Sequence, residues 1–207
     1  MKIGIIDYGM GNIFSVRKSL LRLGVDIAVV QTTNDLINCQ ALILPGVGSF
    51  DPAINSLKNT GLIPNLIDFI STGKPFLGIC LGLQLLFEKS EEGKCHGLGL
   101  IKGNVIKLPI SENERIPHMG WSKLNVYKDN PLLNSKENSN WMYFVHSYSA
   151  VLENKDNLIA TTNYGSNQLT AIVQLENAIA CQFHPEKSGL TGLMFLENWK
   201  KWIEKEF

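Results

Sequence analysis

The sequence lacks the features that mark secreted, membrane-spanning and nucleic-acid-binding proteins. Its four cysteines, in 207 residues, form no CxxC pair and are too sparse for a disulfide framework. Its 19 basic and 19 acidic residues cancel, so nothing supplies the positive field that attracts nucleic acid or an anionic membrane surface. No apolar run reaches membrane-spanning length, and the first residues lack a signal-peptide pattern. We therefore expect a cytoplasmic protein with a single domain over residues 1–207, whose partners are small molecules or proteins.

Metal and cofactor motifs are also missing. Cys39 and the pair Cys95-His96 have a spacing that fits no metal-ligand pattern. The loop at residues 7–12 contains glycines, but it lacks the third glycine of a dinucleotide fingerprint and the acidic residue at the proper distance. We therefore expect no metal and no cofactor. A flavodoxin-like module that holds a phosphate with Gly9 to Asn12 stays open as an alternative function.

The pattern of apolar runs predicts an α/β fold. In the first half, short apolar runs at residues 3–6, 26–31, 41–44 and 76–79 alternate with helical patterns, which is typical of a parallel sheet with crossover helices. After Gly97 the sequence changes to β-rich segments separated by Asn, Gly and Lys clusters, which indicate antiparallel strands. We expect a mostly parallel, flavodoxin-like open sheet flanked by helices, with antiparallel strands added in the C-terminal half.

Local patterns predict how the chain continues from two of these strands. Residues 81–87 have the composition of a short helix, directly after the strand at 76–79. Glu176-Asn177 separates two apolar runs and predicts a tight hairpin. The second strand of that hairpin would deliver His184 at its end.

Cys80 lies between two glycines, in the segment Gly78-Ile79-Cys80-Leu81-Gly82. A strand that turns sharply into a helix holds its corner side chain in a strained, exposed position, and neighbouring glycines let the backbone fold tightly around it. A helix N-terminus also favours the thiolate, which is the reactive form of cysteine. The pattern therefore predicts a nucleophile elbow at Cys80, with a buried structural cysteine as the alternative.

His184-Pro185-Glu186 offers the two other groups that a thiolate nucleophile needs. Acyl transfer requires a proton shuttle for the leaving amine and a group that orients the shuttle. Proline restricts His184 to extended conformations, in which residues i and i+2 point to one side, so Glu186 can lie beside the imidazole. With Cys80, these residues predict a Cys-His-Glu triad; on its own, the tripeptide is more often a turn at a strand end.

The glycines of Pro45-Gly46-Val47-Gly48 follow another predicted buried strand, at an edge of the sheet where sites normally lie. Backbone N–H groups of Gly46 and Gly48, together with the N–H of Leu81, can stabilise the oxyanion of a tetrahedral intermediate. Each such donor contributes roughly a hundredfold or more to the rate. An ordinary glycine turn is the alternative interpretation.

Six segments together carry a resemblance to a known family. They read DYGMGN at 7–12, LPGVGSF at 44–50, GICLGLQLLF at 78–87, PHMGW at 117–121, YFVHSY at 143–148 and FHPEKS at 183–188. The chain resembles the class I glutamine amidotransferases almost from end to end, and most closely the glutaminase subunits of imidazole glycerol phosphate synthases. The combination is highly specific, although no single segment is.

The resemblance implies a role for each matching position. Cys80 is implied to be the nucleophile, His184 the general base and acid, and Glu186 the residue that orients His184. Gly48 resembles the glycine of the oxyanion loop, and the positions that hold glutamine are Gln84, Ser147 and Tyr148. The positions that dock on a partner are Asn12, His118, Trp121, Tyr143 and Lys187.

The same resemblance implies an activity and a partner. The chain is expected to hydrolyse L-glutamine to glutamate and ammonia through a cysteinyl thioester. The ammonia passes to a separate synthase (cyclase) subunit of the (β/α)8-barrel type, which forms a heterodimer with the chain and makes imidazole glycerol phosphate and an aminoimidazole carboxamide ribotide in histidine biosynthesis. We also expect the backbone around Gly48 to flip before its N–H groups point inward.

Two departures from the usual pattern of the family keep other partners open. Ser122 replaces the usual asparagine, and Lys102 stands where proline is common. The alternative is a paralogous glutaminase that supplies ammonia for amidino-sugar synthesis in surface polysaccharide. A cysteine hydrolase or peptidase that acts alone is a further alternative.

His118 and His146 flank aromatic residues, and a pair of hydrogen-bonded core histidines is as good an interpretation of them as a direct function.

Overall fold

The computed structural model describes residues 1–109, 114–133 and 140–207. Over these ranges the α-helices are α1 (Ile13–Arg22), α2 (Thr33–Ile37), α3 (Phe50–Asn59), α4 (Ile63–Ser71), α5 (Leu81–Gln84) and α6 (Gly189–Glu206), and two short 3-10 helices span Lys155–Asn157 and Pro185–Lys187. The strands are β1 (Lys2–Ile6), β2 (Asp26–Val30), β3 (Ala41–Gly46), β4 (Phe76–Cys80), β5 (Phe87–Ser90), β6 (Ile101–Lys107), β7 (His118–Val126), β8 (Trp141–His146), β9 (Tyr148–Leu152), β10 (Leu158–Tyr164), β11 (Asn167–Leu175) and β12 (Ala178–Cys181). Within the described ranges, no helix is both long and apolar enough to cross a membrane.

The parallel half of the main sheet positions Cys80. The strand order is β2-β1-β3-β4-β12-β11-β10-β7-β8, and neighbours pair in parallel from β2 through to β12. Parallel strands that are covered on both faces are apolar along their length, and β3 and β4 are buried at every residue. Ligands of such sheets bind at the carboxyl ends of the strands, where Gly46 of β3 pairs with Cys80 of β4.

Apolar side chains on the two faces of β3 belong to two separate core clusters. Leu42 and Leu44 pack with residues of α3 and α4 on one face, whereas Ile43 packs with residues of α1 and α6 on the other. Successive side chains of a strand point to opposite faces, which explains the alternation. β3 is therefore covered on both faces, as is typical of a central parallel strand.

A two-residue hairpin brings the C-terminal motif to the same edge of the sheet. β11 and β12 pair antiparallel with Leu175 opposite Ala178, so Glu176 and Asn177 form the turn. Glu176 has a φ of 50°, the left-handed conformation that tight hairpin turns require. β12 then runs parallel to β4, and the chain leaves the sheet beside Cys80. The predicted hairpin is confirmed, as is the mostly parallel sheet with antiparallel additions.

Among the differences from the sequence prediction, two concern β5 and β7. The predicted helix at 81–87 ends at Gln84, and Phe87 instead begins β5, because it pairs with Ile101 in a second sheet of order β5-β6-β9. The strand β7 was not predicted. Exposure alternates along β7 from His118 to Leu124, but apolar Met119 and Trp121 lie on the exposed side and polar His118 and Ser122 on the other, so the sequence shows no apolar two-residue period.

Candidate active site

Cys80 occupies a strained corner between β4 and α5. Its φ of 55° and ψ of −109° lie outside the regions that non-glycine residues normally adopt. A Cβ on Gly82 would lie 1.9 Å from the carbonyl oxygen of Leu44, and one on Gly78 would lie 3.0 Å from the carbonyl oxygen of Gly82. Both glycines are therefore required by close packing around the corner, which fits the nucleophile elbow predicted from their spacing.

His184 and Glu186 form a buried pair directly after β12. His184 Nδ1 lies 2.8 Å from Glu186 Oε1, and the two side chains are 3% and 1% exposed. The backbone of His184 is held on both sides, because its N–H donates to the carbonyl of Tyr143 and its own carbonyl accepts from the Ser188 hydroxyl. The structure thus brings Cys80, His184 and Glu186 together at one edge of the sheet.

The electrostatics of this cluster favour a charged imidazole. Burial opposes the charge, but hydrogen bonds with Cys80 and Glu186 outweigh burial and raise the pKa of His184 to about 10. Glu186 accepts hydrogen bonds as a carboxylate, so Nδ1 of His184 carries a proton. The other ring nitrogen then serves the thiol, an arrangement suited to moving a proton at the sulfur.

A cavity of about 210 Å³ opens beside the sulfur of Cys80. Of the residues predicted to bind substrate, the cavity is lined by Gly48, Leu81, Gln84, Ser147 and Tyr148. Gly46 does not line it, because it lies within β3, where a Cβ would meet the Tyr8 hydroxyl at 2.7 Å and Leu81 at 2.8 Å. Its lack of a side chain therefore serves the packing of β3 against α5.

The loop after β3 has one of its donors turned away from the cavity. The N–H of Val47 donates to the carbonyl of Met10 over 2.8 Å. The hydroxyl of Tyr8 donates to the carbonyl of Pro45 over 2.9 Å, and burial raises the pKa of Tyr8, so the hydroxyl keeps its proton. Gly48 has a φ of 96°, which favours glycine. The loop is thus tied to the segment after β1.

Sequence analysis missed Gln182, whose side chain is fully buried between Cys80 and Gln84. Gln182 Nε2 lies 3.7 Å from the sulfur, and Gln182 Oε1 accepts from Gln84 Nε2 over 3.1 Å. One signal was available. Gln182 precedes His184 by two residues, and the carboxamide of Gln182 and the ring of His184 both face Cys80.

Of the residues predicted to dock on a partner, four are exposed or partly exposed, and His118 is buried. Trp121 is 52% exposed and makes an edge-to-face contact with Tyr143, and Lys187 is exposed. Asn12 is partly exposed and caps α1, because its side chain accepts from the N–H of Ser15. The His118 side chain is 2% exposed, so in the free chain it lies beneath this face and not on it.

His118 belongs to a buried histidine pair. Its Nδ1 lies 3.0 Å from Nε2 of His146, and its Nε2 lies 2.9 Å from the hydroxyl of Ser122. His146 lines the cavity, and its Nδ1 lies 2.8 Å from the carbonyl oxygen of Tyr148. Burial lowers the pKa of His118 to about 4 and that of His146 to about 3, so both rings are neutral near pH 7. Over the described ranges, no group of three or more His, Cys, Asp or Glu side chains is arranged to hold a metal ion.

Comparison with known proteins gives consistent similarities. The family model described as glutamine amidotransferase class-I matches residues 4–200. Two proteins named imidazole glycerol phosphate synthase subunit HisH, from two strains of Prochlorococcus marinus, are 54% and 56% identical to the chain. The alignments cover 100% and 99% of this chain and 97% and 96% of those proteins. Among solved structures, PurLQS from Thermotoga maritima aligns with a TM-score of 0.75 at 20% identity, over 97% of this chain and 98% of that one, a likeness of fold alone.

Proposed function

We propose, because this chain belongs to the class-I glutamine amidotransferase family, that it hydrolyses L-glutamine to glutamate and ammonia at Cys80. The observation that carries the proposal is the cluster at the edge of the sheet. An imidazole paired with Glu186 over 2.8 Å lines the same cavity as a thiol on a strained corner and is electrostatically coupled to it. Nucleophile, proton shuttle and orienting acid are the three groups that thiol-dependent acyl transfer needs.

The first half of the reaction forms a thioester. The proton of the Cys80 thiol resides on His184, whose pKa of about 10 favours the imidazolium near pH 7. The sulfur attacks the side-chain carbonyl carbon of glutamine, and an oxyanion forms. His184 then gives its proton to the amide nitrogen as the C–N bond breaks, so ammonia leaves and a glutamyl thioester remains on Cys80.

The second half hydrolyses the thioester and frees the sulfur of Cys80. Neutral His184 takes a proton from water, and the resulting hydroxide attacks the thioester carbonyl. Collapse of this intermediate breaks the C–S bond and releases glutamate, and the sulfur and His184 return to their starting state. Glu186 keeps the ring in one orientation throughout, because its Oε1 accepts a hydrogen bond from the N–H at Nδ1 of His184.

Stabilisation of the oxyanion requires the loop after β3 to rearrange. The Val47 N–H is bonded to Met10 and cannot donate into the cavity at the same time. Rotation of the peptides next to Gly48 would free a donor to work with the N–H of Leu81, and removal of one such donor costs roughly a hundredfold or more in rate. Docking of the partner drives this rotation, so that glutamine is hydrolysed where ammonia is used.

The synthase that receives the ammonia is imidazole glycerol phosphate synthase, in histidine biosynthesis. The relatives that carry this name match the chain over nearly its whole length at 54% and 56% identity. The partner is a separate cyclase subunit of the (β/α)8-barrel type, and it docks on the face formed by Trp121, Tyr143, Lys187 and Asn12. Ser122, where the family usually has asparagine, still offers a hydrogen-bond donor to His118, so this departure does not favour the amidino-sugar alternative.

The test uses the chain assembled with the synthase subunit of the same organism. We expect Cys80→Ala to abolish glutamine-driven turnover while turnover with free ammonia continues. Cys95→Ala is the matched control, because Cys95 is a free cysteine outside the cavity, and it should retain both activities. A glutamine-derived diazoketone should label Cys80 in the wild-type complex, whereas peptide-based thiol probes should not. Loss of ammonia-driven turnover in Cys80→Ala, or labelling by the peptide probes instead, contradicts the proposal.

A further inference from the structure

Gln182 is placed to act on the nucleophile, although no role has yet been given to it. Its side chain is 0% exposed, and its carboxamide spans the gap between Gln84 and the sulfur of Cys80. Burying an amide costs free energy unless its donors and acceptor are satisfied. In Gln182 the carboxamide oxygen accepts from Gln84, which lines the cavity, and the carboxamide nitrogen faces the sulfur of Cys80.

Hydrogen-bond chemistry fixes which end of the Gln182 amide faces the sulfur. The carbonyl oxygen of Tyr148 can only accept, so Gln84 must present its Nε2 there, over 3.1 Å. The second hydrogen of the same Nε2 points to Gln182, over 3.1 Å, which must therefore present its oxygen. The nitrogen of Gln182 is left to face Cys80, so an N–H donor and not a carbonyl oxygen meets the sulfur.

The Tyr148 carbonyl also accepts from a second row of hydrogen bonds, which runs through His146 and His118 to Ser122. His146 Nδ1 must donate to that carbonyl, so its Nε2 accepts, and His118 Nδ1 must be the donor to it. His118 Nε2 is then the acceptor of the Ser122 hydroxyl. Every link has one allowed direction while both rings are neutral. The carbonyl that sets the orientation of Gln84 is thus itself held by a buried row that begins on β7.

We propose that Gln182 is a positioning residue for Cys80, whose carboxamide N–H holds the sulfur beside His184 and stabilises the thiolate. The two other neighbours of the sulfur explain the selectivity for the anion. The Val145 carbonyl, 4.0 Å away, can only accept and so serves the protonated thiol. Gln182 and His184 donate and so serve the thiolate, and a hydrogen bond to the charged form lowers the pKa of an acid. The inference rests on the proposed role of Cys80 as nucleophile.

Other titratable groups near the sulfur must be held constant in any test. The titratable groups coupled to Cys80 are His184, Tyr8 after β1 and Cys181 of β12; burial raises the pKa of Tyr8 and of Cys181, so both keep their protons. Glu186 acts through His184, and Glu92, His146 and Lys187 line the same cavity. Gln182→Met changes none of these groups, so a change in the titration of Cys80 in that variant reports on the amide, whereas Gln182→Glu also adds a carboxyl group beside the sulfur.

The test compares Gln182→Met and Gln182→Glu with wild type in the complex with the synthase. Methionine keeps the length of the side chain without a donor, and glutamate replaces the donor with an acceptor. We expect the pH midpoint for alkylation of Cys80 by iodoacetamide, followed by mass spectrometry, to rise in the order wild type, Met, Glu. We expect kcat for glutamine to fall at least about tenfold in both, while ammonia-driven turnover is unchanged. The exposed Gln168→Glu of β11 is the matched control and should leave the midpoint in place.

Two outcomes overturn the inference. One is an unchanged midpoint in both Gln182 variants, since a residue that only fills space would lower activity without moving it. The other needs no variant: in the wild-type complex labelled with ¹⁵N, the side-chain amide resonance of Gln182 should titrate together with the alkylation rate of Cys80, and a flat response contradicts the contact. If wild-type Cys80 is not labelled by the glutamine analogue, the proposed function itself fails, which is a separate result.

Discussion

The carboxylate of Glu186 is held by the imidazole of His184. Glu186 Oε1 lies 2.8 Å from His184 Nδ1, whereas Glu186 Oε2 is buried and has no hydrogen-bond partner among the residues that the structure describes. Both side chains are almost fully buried, at 3% and 1% exposure. Removing one partner of a buried pair leaves the other without compensation, which costs more than the pair itself contributes. Substitution of either residue should therefore lower both the activity and the stability of the protein.

We expect Glu186→Gln to lower kcat for glutamine by at least about 100-fold, because the amide can present an N–H to His184 and no longer fixes one ring orientation. The pH dependence of stability should change as well. The pKa of His184 is about 10 in the folded chain against an ordinary value of 6.5, so its contribution to stability is fully present below pH 6.5 and is lost as the pH rises towards 10. Urea unfolding across this window should give a flatter profile for the variant than for wild type.

The control for this prediction is Glu204→Gln in α6. Glu204 is about half exposed and pairs with Lys200 over 3.7 Å on the surface, so its removal should change neither the slope nor the activity. A profile for Glu186→Gln that runs parallel to wild type between pH 6.5 and 10 would show that Glu186 does not support the raised pKa of His184.

The parts of the site that local sequence encodes were accessible to prediction. The elbow at Cys80 follows from two glycines whose spacing reflects direct packing, such as that of Gly82 against Leu44. The position of His184 follows from the Glu176-Asn177 hairpin, a short-range signal. Gln182 was missed because its meaning depends on Gln84, a residue far away in the sequence, and no local pattern joins the two.

The differences between the sequence predictions and the structure also arise from contacts between residues that are distant in the sequence. Phe87 continues a helical composition, yet it lies in a strand because Ile101 pairs with it, and tertiary pairing overrides local propensity. The resemblance to the family placed His118 on the partner face together with Trp121. On β7 its side chain points to the opposite side, where it stacks on Phe144 and bonds to His146. Register within a strand decides between surface and core, and the sequence of β7 does not reveal it, because apolar Met119 and Trp121 lie on the exposed side of the strand.

We expect Gly82→Ala to destabilise the fold by about 3 kcal/mol or more, measured by urea unfolding. The new methyl group would lie 1.9 Å from the Leu44 carbonyl oxygen, which is backbone and cannot move aside cheaply. To relieve the clash, β3 and α5 must separate, and the corner at Cys80 shifts with them. Activity per folded molecule should fall as well, because small displacements at a catalytic corner are costly.

The comparison variant for Gly82→Ala is Gly99→Ala. Gly99 has a φ of 65°, but a Cβ there meets nothing within 4 Å, so the cost is only that of the left-handed backbone, about 1–2 kcal/mol. Equal destabilisation by the two substitutions would mean that backbone conformation, and not the contact with Leu44, is the reason for glycine after the elbow.

We expect Trp121→Ala to weaken binding of the synthase subunit roughly 30-fold or more, measured by titration calorimetry, without lowering the melting temperature of the free chain. The ring is 52% exposed and rests edge-on against Tyr143, so it contributes little to the core but offers a large apolar anchor to a partner. Tyr127→Ala is the matched control, because Tyr127 is 53% exposed just beyond the far end of β7 from His118. Equal affinities of wild type and Trp121→Ala would exclude this face as the docking surface, whereas a loss in both variants would extend the surface along the whole strand.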